Sequence, residues 1–507
     1  MALFRAHSAA VYGIDAHLID VEVDLYPSGT ARDFITVGMP DTAVRESRER
    51  IKSALVNSGF GYPYNKGITI NLAPANIRKE GAGFDLPMAL GILGAMGSAP
   101  LVDDYLLMGE LSLDGSIRPV RGALSVAVCA RNQGIPNLVL PFDNAAEAAV
   151  VDGVNVFGVR HLAEVVAMLV RPQDFSPSPR TPAVIAETES GAPDFCDVRG
   201  QTAAKRALEV AASGGHNVLM IGPPGSGKTM LAKRLAGILP PLTFQEAIET
   251  TKVHSIAGLL PKGAGLLNRR PFRSPHHTIS DAGLIGGGSG MPRAGEVSFA
   301  HNGILFLDEL PEFPRNVLEM LRQPLEDNSV TIARSSQSLC FPANFMLVGA
   351  MNPCPCGFHG DTQRECRCTP GIIQRYLGKI SGPLLDRIDI HIEVPAVAYK
   401  ALRGRDDGVS SAQIRERVIV ARGIQQSRGY YNAHIPTRQL RKHCALDDSG
   451  ERTLEMAVRR MGLSARAHDR ILKLARTVAD MDGSDAVSAK HLAEAVQYRS
   501  LDRSYWT

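Results

Sequence analysis

The sequence predicts an α/β protein of several domains, in which a central parallel sheet lies between an N-terminal α+β domain and a C-terminal helical domain. Three observations support this fold class. An apolar strand at 218–221 runs into a glycine-rich loop at 222–229 that opens a helix. A second apolar strand at 304–307 ends in two acids, and the sequence beyond Pro395 has a helical apolar period.

Composition and charge are those of an ordinary globular protein. Hydrophobic residues make up 44% of the 507 residues, charged residues make up 21%, and the net charge is +3. The charge is uneven, because residues 401–507 hold nineteen Lys and Arg against thirteen Asp and Glu, which leaves +6 there and −3 elsewhere. This asymmetry permits a polyanionic partner for the C-terminal part, although a solvated basic helix face is the commoner explanation.

No targeting or membrane-spanning segment is predicted. The first residues lack a charged region followed by a long apolar stretch. The longest apolar run, at 86–102, is interrupted by glycine and proline and predicts a buried core helix. Eight cysteines are too few for a disulfide scaffold in a chain of this length. Together with an ATP site, these features predict a cytoplasmic protein without a membrane partner.

The chain divides into four predicted parts. Residues 1–170 alternate short β-type runs with helical patterns and predict a separate α/β or α+β domain. Residues 171–193 are rich in proline, serine and glutamate and predict a linker. Residues 194–395 hold the nucleotide-binding motifs, and residues 396–507 predict a small all-helical domain.

The glycine-rich loop matches the full GxxxxGK[ST] pattern of an ATP phosphate cradle. Its backbone N–H groups are expected to turn inward on the phosphates, Lys228 to reach the β and γ phosphates, and the Thr229 hydroxyl to hold Mg²⁺. With the acid that follows the second strand, the predicted nucleotide-binding residues are Gly222, Pro223, Pro224, Gly225, Ser226, Gly227, Lys228, Thr229 and Asp308.

Polar residues at the ends of two further strands complete the predicted hydrolysis site. Asp308 and Glu309 directly follow the strand 304–307, at the sheet edge where ligands bind in open α/β folds. Asp308 is expected to hold Mg²⁺ through water, and Glu309 to orient and deprotonate the attacking water. Asn352 ends a third apolar strand at 344–351 and is placed to sense the γ phosphate. The motifs therefore predict ATP hydrolysis.

Two segments among these strands carry notable basic residues. The segment 262–301 is rich in Gly, Pro, Arg and His, and a loop of this length inside a compact domain is usually functional or disordered. Its Arg273, His276 and His277 fit either ordinary loop hydrogen bonding or a functional role. The segment 329–341 predicts a hairpin whose polar tip carries one arginine.

Four cysteines cluster within fifteen residues as two C-x-C pairs. Paired thiols in a reducing compartment favour a tetrahedral zinc site that fixes a loop, and four cysteine ligands imply a closed, non-catalytic site. Replacement of one ligand by His359, a set of reduced thiols, and a redox pair remain the alternatives. The predicted zinc ligands are Cys354, Cys356, Cys366 and Cys368.

A helix predicted at 465–479 carries an arginine in its first turn. Ser464 can cap this helix, so that Arg466 lies beside the positive end of the helix dipole. An arginine is unfavourable there unless an anion meets it. Arg466 is therefore predicted to contact a phosphate.

The N-terminal domain resembles the proteolytic domain of Lon-type proteases, which implies the ribosomal S5 domain 2-like fold. The likeness is carried by the segments 79–86 and 109–124. Lon-type proteases cut with a serine that a lysine activates. On this alignment the two positions hold Gly83 and Leu124, so the resemblance implies the fold without the chemistry. The serines nearby lack suitable surroundings: Ser112, Ser116 and Ser125.

Along nearly its whole length the chain resembles the AAA+ ATPases of the magnesium chelatase-like group, and most closely the ComM (YifB) family of bacterial proteins. This resemblance implies a hexameric ring motor with a helical lid. The shared motifs are Gly-Pro-Pro-Gly-Ser-Gly-Lys-Thr at 222–229, Ile-Leu-Phe-Leu-Asp-Glu-Leu at 304–310, Ala-Met-Asn-Pro-Cys-Pro-Cys-Gly at 350–357, Leu-Asp-Arg-Ile-Asp at 385–389 and Leu-Ser-Ala-Arg-Ala at 463–467.

The resemblance also implies roles for individual residues. Asn352 corresponds to sensor 1, Arg387 to the finger that reaches the ATP of a neighbouring subunit, and Arg466 to sensor 2. With Lys228 and Glu309, these residues form the predicted catalytic set.

Two segments are implied to line the ring pore, where 262–301 corresponds to the helix-2 insert and 329–341 to the pre-sensor hairpin. Arg334, Arg273 and Arg293 would then step along a threaded phosphate backbone through contacts that are mostly blind to sequence. The resemblance implies a DNA helicase that drives branch migration during natural transformation, with single-stranded and branched DNA as partners.

Two other functions remain open. A motor subunit for metal insertion into a porphyrin would hydrolyse ATP without DNA and would require a chelatase partner. An ATP-dependent protease or unfoldase would act on a casein-type substrate. The cysteine cluster and the Lon-like domain argue against the first function, and the missing Ser-Lys pair argues against the second.

Overall fold

The computed structural model describes residues 2–27, 34–180, 193–261, 263–288, 292–334, 337–361, 364–397, 408–461 and 464–501. The chain forms two compact units. The first contains Met1–Ile185 and Thr243–Asn268, and the second contains Ala186–Leu242 and Arg269–Thr507. Residues 181–192, which fall in the predicted linker, lie outside the described part of the chain.

The first unit is built on a mixed sheet. Its strands in the described residues are β1 (Ala2–Tyr12), β2 (Asp15–Pro27), β3 (Phe34–Val37), β4 (Lys66–Ala73), β5 (Tyr105–Leu107), β6 (Glu110–Leu111), β7 (Ile117–Arg118), β8 (Asn137–Pro141) and β9 (Asn155–Val159). Seven of them form one sheet in the order β3-β4-β2-β1-β5-β8-β9, and β6 pairs with β7. The long β1–β2 pair and the β2–β4 pair are antiparallel, whereas the other neighbours are parallel.

The first unit also contains the predicted buried core helix. Asp85–Ala95 is buried at ten of its eleven positions, which confirms the interpretation of the apolar run at 86–102. Within the described ranges, no helix is both long enough and apolar enough to cross a membrane. The helices of this unit are Thr42–Asn57, Asp85–Ala95, Ala123–Gln133, Phe142–Ala148, Leu162–Val170 and Phe244–Ala257, with 3-10 turns at Ala82–Phe84 and Pro172–Asp174.

The helix Phe244–Ala257 belongs to the first unit, although it follows the glycine-rich loop in the sequence. Ser255 Oγ accepts a hydrogen bond from the backbone N–H of Gly122 at 3.0 Å and donates one to Glu147 at 3.1 Å. The sequence predicts that this helix belongs with the rest of 194–395. Local periodicity identifies a helix but not the sheet against which it packs, and this is the reason for the difference.

The second unit is built on a parallel sheet whose central strands are buried on both faces. The strands described in this unit are β10 (Val218–Ile221), β11 (Phe272–Arg273), β12 (Gly286–Gly287), β13 (Arg293–Ala294), β14 (Ile304–Leu307), β15 (Ser329–Arg334), β16 (Gln337–Pro342), β17 (Met346–Met351) and β18 (Ile390–Glu393). Five of them form the sheet in the order β11-β14-β17-β10-β18, and all four neighbouring pairs are parallel. The predicted parallel sheet is thereby confirmed.

Helices follow the sheet of the second unit and fill its C-terminal region, as the helical periods predict. Their apolar faces pack into one core with the sheet, in which Leu235, Ile414 and Leu474 are all buried. The helices described in this unit are Thr202–Gly214, Lys228–Ile238, Asp281–Leu284, Glu296–Phe299, Arg315–Met320, Arg322–Asp327, Pro370–Leu377, Gly382–Leu385, Ser411–Ser427, Thr437–His443, Asp448–Met461, Ala465–Met481 and Ala489–Gln497, with 3-10 turns at Phe195–Asp197, Leu310–Glu312 and Asn432–His434.

Two small antiparallel ribbons project from the connections of the second unit. β15 pairs with β16 over their whole length, which confirms the predicted hairpin at 329–341. β12 pairs with β13 within the segment 262–301. The side chain of Arg334 and residues 335–336 lie outside the described part of the chain, as do residues 289–291.

A buried ion pair in the first unit provides a test of its stability. Asp85 is fully buried and accepts hydrogen bonds from Arg50 Nε at 2.7 Å and Nη2 at 3.1 Å. Burial raises the pKa of Asp85 to about 6, and Arg50 opposes this rise. Arg50→Ala leaves a buried carboxylate without its cation. We expect the free energy of unfolding at pH 7.5 to fall by about 3–5 kcal/mol.

Urea unfolding, followed by far-UV circular dichroism, measures this loss. The deficit should shrink as the pH falls from 7.5 to 5, because a carboxyl whose folded pKa is raised is destabilising only where it is charged. The exposed pair of Arg171 with Asp174 provides the control, and Arg171→Ala should change the stability by less than about 0.5 kcal/mol. Equal effects of the two substitutions would contradict the assignment.

Candidate nucleotide site and cysteine cluster

The carboxyl ends of three neighbouring strands bring the predicted nucleotide residues together. β14, β17 and β10 are adjacent and parallel, so the segments that follow them meet at one edge of the sheet. The glycine-rich loop follows β10, the two acids follow β14, and Asn352 follows β17.

The glycine-rich loop needs glycine for both its backbone angles and its close packing. Gly225 and Gly227 have φ values of 76° and 89°, which favour glycine over other residues. A Cβ on Gly222 would lie 2.1 Å from the backbone oxygen of Val394, so the loop fits closely against the end of β18. The following helix begins at Lys228, within the loop predicted at 222–229.

Lys228 joins the loop to the end of β17. Its Nζ donates to the backbone oxygens of Gly222 at 2.7 Å and Pro223 at 3.0 Å, and to Asn352 Oδ1 at 3.2 Å. The residue is 8% exposed, and burial lowers the pKa of its ammonium group. A cation is thereby held between two of the motifs that the sequence predicts to contact phosphate.

Thr229 and Asp308 form the candidate Mg²⁺ position. The Thr229 hydroxyl donates to Asp308 Oδ2 at 2.7 Å, and the other carboxylate oxygen accepts the backbone N–H of Glu309 at 2.9 Å. A hydroxyl and a carboxylate are the hard oxygen ligands that Mg²⁺ prefers, and Mg²⁺ binds proteins through few such groups together with substrate phosphates. These residues therefore fit the ion.

Glu309 has an unusual backbone and an unexpected neighbour. Its φ is 52°, in the left-handed region, and its side chain is 58% exposed. Nδ1 of His277 lies 3.4 Å from Glu309 Oε2. The residue types around His277 fit either a loop role or a functional role. No local pattern decides between them, because His277 comes four residues after β11, and only the tertiary structure sets β11 beside β14.

Sequence reasoning missed Gln201, which supports the glycine-rich loop. Its Nε2 donates to the backbone oxygen of Ser226 at 2.6 Å and contacts that of Pro395 at 3.3 Å. Gln201 itself has a φ of 53° at the start of the helix Thr202–Gly214. No local pattern identifies such a residue, because its partners are 25 and 194 positions away.

The four clustered cysteines come together as predicted for a metal site. Their sulfur atoms all lie within 4.8 Å of one another, and three of the Sγ–Sγ distances are 3.3, 3.7 and 3.6 Å. Tetrahedral zinc with Zn–S bonds of about 2.3 Å separates its sulfurs by about 3.8 Å. The backbone N–H of Phe358 stabilises the thiolate of Cys356 and lowers its pKa to about 6. His359 is exposed and stands outside this group.

The cysteine loop touches the glycine-rich loop. A Cβ on Gly357 would lie 2.4 Å from Cδ of Pro224, so these two loops are in close contact. Gly357 has a φ of 85°, which permits the turn between Cys356 and the residues that follow. A metal ion that fixed the cysteine loop would therefore also support the glycine-rich loop.

The two arginines implied to act at subunit boundaries have different surroundings. Arg387 is 4% exposed, forms an ion pair with Glu326 and donates to the backbone oxygen of Pro383 at 2.6 Å. Arg466 is exposed in the first turn of Ala465–Met481, beside the cap formed by Ser464. Arg387 is thus engaged within its own chain, whereas Arg466 is open to solvent.

The arginines predicted to contact DNA are also placed unequally. Arg273 forms a two-point pair with Glu296, with N–O distances of 2.6 and 2.7 Å, and this pair raises the pKa of Arg273. Its guanidinium is therefore occupied by a contact within the segment 262–301. Arg293 is exposed in the β12–β13 ribbon. Arg334 ends β15, and its side chain lies outside the described residues.

No Ser-Lys pair is found at the predicted positions in the first unit. Gly83 lies in a 3-10 turn and Leu124 is fully buried. The three serines named above form hydrogen bonds with groups other than lysine. Ser112 accepts from Arg118, Ser116 donates to Asp114, and Ser125 donates to the backbone oxygen of Ile14.

Three protein-family models match the chain, and all describe the magnesium chelatase subunit ChlI. The first, "Magnesium chelatase, subunit ChlI", matches residues 194–402. The second, "Subunit ChlI of Mg-chelatase", matches residues 21–144, and the third, the ChlI C-terminal model, matches residues 408–499.

Several known proteins are similar to this chain over nearly its whole length. The chain is 43% identical to the competence protein ComM of Haemophilus influenzae, over 99% of this chain and 98% of that protein. It is 42% identical to the uncharacterized protein YifB of Escherichia coli over the same shares. A partial likeness, 26% identity over 32% of each chain, relates it to Lon protease 2 of Bacillus subtilis.

Proposed function

Because the chain belongs to the ComM (YifB) family of magnesium chelatase-like AAA+ ATPases, we propose that it is a hexameric, ATP-driven DNA helicase. It promotes branch migration when incoming single strands recombine into the chromosome during natural transformation. The observation that carries the proposal is the convergence of Lys228, Asp308, Glu309 and Asn352 at one sheet edge, in a chain similar over its full length to a competence protein. The protein acts in the cytoplasm, where ATP is available and thiols stay reduced.

Each converging residue has a defined task in the proposed hydrolysis. Lys228 binds the β and γ phosphates. Phosphate oxygens then replace the backbone oxygens of Gly222 and Pro223 as acceptors for its ammonium group. Thr229 and Asp308 would hold Mg²⁺, which would neutralise charge on those phosphates. Glu309 takes a proton from the attacking water on a carboxylate oxygen, and Asn352 orients that water through its amide.

The DNA contacts are proposed for the two ribbons of the second unit. Arg293 in the β12–β13 ribbon and Arg334 at the end of β15 grip the phosphate backbone, while Arg273 keeps the insert in place through Glu296. Phe272 stacks on Phe306 at 5.9 Å within the fold, so base stacking has little part. Binding through phosphates predicts weak sequence preference and strong salt dependence.

The first unit is proposed to have the Lon-like fold without its chemistry. Gly83 and Leu124 replace the nucleophile and its base, and the described serines nearby have other partners. We propose that such a unit stabilises the ring. The proposed domains keep the predicted bounds 1–170, 171–193, 194–395 and 396–507, except that 171–185 and 243–268 belong to the first unit.

The first test is ATP turnover by the parent and by Glu309→Gln, with and without single-stranded and branched DNA. Loss of the base should lower kcat by roughly 10²- to 10⁴-fold and leave ATP affinity nearly unchanged. Lys228→Ala should lose ATP binding as well, since it removes the cation of the cradle. DNA should raise the parent rate. ATPase activity that ignores DNA and needs a chelatase partner would instead favour metal insertion.

A mixing experiment tests whether Arg387 acts on a neighbouring subunit. Arg387→Ala should bind ATP but hydrolyse it poorly. Lys228→Ala should be inactive, although it retains Arg387. In randomly mixed rings, about a quarter of the sites combine an intact loop with an intact finger, so part of the activity should return. A mixture as inactive as its components would contradict the shared pocket.

Zinc in the cysteine cluster is proposed as a brace for the nucleotide loop. Elemental analysis should find one zinc per chain, and Cys356→Ser should lose it. Because Gly357 packs on Pro224, loss of the metal should also raise the KM for ATP several-fold. The exposed Cys340 is the matched control, and Cys340→Ser should retain both zinc and KM. Parent protein without metal would contradict this proposal.

A further inference from the structure

The topology of the second unit sets a histidine beside the proposed base. β11 and β14 are parallel neighbours, so the residues that follow them lie at the same sheet edge. His277 comes four residues after the end of β11, and Glu309 comes two residues after the end of β14. Their side chains approach to 3.4 Å between Nδ1 and Oε2.

Aromatic neighbours hold the His277 ring on two sides. The ring centroids of His276 and His277 are 4.1 Å apart, and the Phe313 ring meets that of His277 edge-on at 6.4 Å. His276 is itself anchored, because its Nδ1 lies 2.9 Å from the Thr278 hydroxyl. His277 is 31% exposed, so its imidazole has a defined position while remaining accessible to solvent.

Glu309 lacks comparable support of its own. Its carboxylate is largely exposed, and among the described residues it contacts the His277 side chain. A glutamate side chain loses rotamer entropy when it is held in one conformation. A base that must meet one water at one angle gains from being held beforehand, because misplacement by about 1 Å can cost a hundredfold in rate.

We propose that His277 is a positioning residue for Glu309 in ATP hydrolysis. A carboxylate has two oxygens, and His277 occupies Oε2, which leaves Oε1 directed to the attacking water. The contact of 3.4 Å is long for a hydrogen bond, as such contacts often are before substrate binds, and tightens in the productive complex. This inference rests on the proposed ATP hydrolysis but not on DNA as the partner.

Steady-state ATPase assays without DNA test the inference, with His277→Ala, His277→Asn and a control in the same segment. His277→Ala should lower kcat roughly tenfold to a hundredfold while the KM for ATP stays within about twofold. The amide of His277→Asn can donate from nearly the place of Nδ1, so it should recover most of the rate. Ser274 is exposed in the same segment, and Ser274→Ala should behave as the parent does.

A double-mutant cycle separates positioning from packing. If His277 acts through Glu309, then adding His277→Ala to Glu309→Gln should lower the rate no further. Melting temperature and affinity for an ATP analogue should stay at parent values in both His277 variants. A His277→Ala rate within twofold of the parent overturns the inference, as does an equal loss in the Ala and Asn variants. A Glu309→Gln variant that hydrolyses at the parent rate overturns the proposed site itself, and the inference with it.

Discussion

The candidate nucleotide site depends on the position of one buried cation. The ammonium of Lys228 lies between the backbone oxygens of Gly222 and Pro223 and the amide oxygen of Asn352. It can do so because β10 and β17 are parallel neighbours whose carboxyl ends coincide. A buried ammonium is costly unless oxygens surround it, so these contacts keep the loop and the end of β17 in register.

The glycine-rich loop is braced from three directions by parts of the chain that are distant in sequence. Gln201 bonds to the backbone of Ser226, the end of β18 packs on Gly222, and Gly357 of the cysteine loop meets Pro224. A flexible, glycine-containing loop without these contacts would lose much conformational entropy if it bound phosphate. The second unit reduces that loss because its neighbouring segments hold the loop in shape. A metal in the cysteine cluster would strengthen one of these supports.

A buried polar network connects the helix of Arg466 with the segment of Arg387. Asp389 contacts His216 Nδ1 at 3.3 Å, accepts the backbone N–H of Asn217 at 3.1 Å, and pairs with Arg470 on the helix Ala465–Met481. Burial alone would raise the pKa of Asp389, yet Arg470 and His216 hold it well below its usual range. The Asn217 amide also donates to the backbone oxygen of Arg387 at 3.0 Å. The helix that carries Arg466 and the segment that contains Arg387 are thus both connected to the start of β10.

Most residues of the candidate site could be located from the sequence, because each of its motifs is a local pattern of an apolar strand followed by particular polar residues. The strand before the glycine-rich loop and the acids after Leu307 are of this kind. The hairpin at 329–341 and the C-terminal helices follow from local periods of their own. Only the tertiary structure decided that Phe244–Ala257 joins the first unit, that Arg273 pairs with Glu296 and that His277 meets Glu309. Those outcomes depend on strand order and on contacts between distant segments, which no local periodicity encodes.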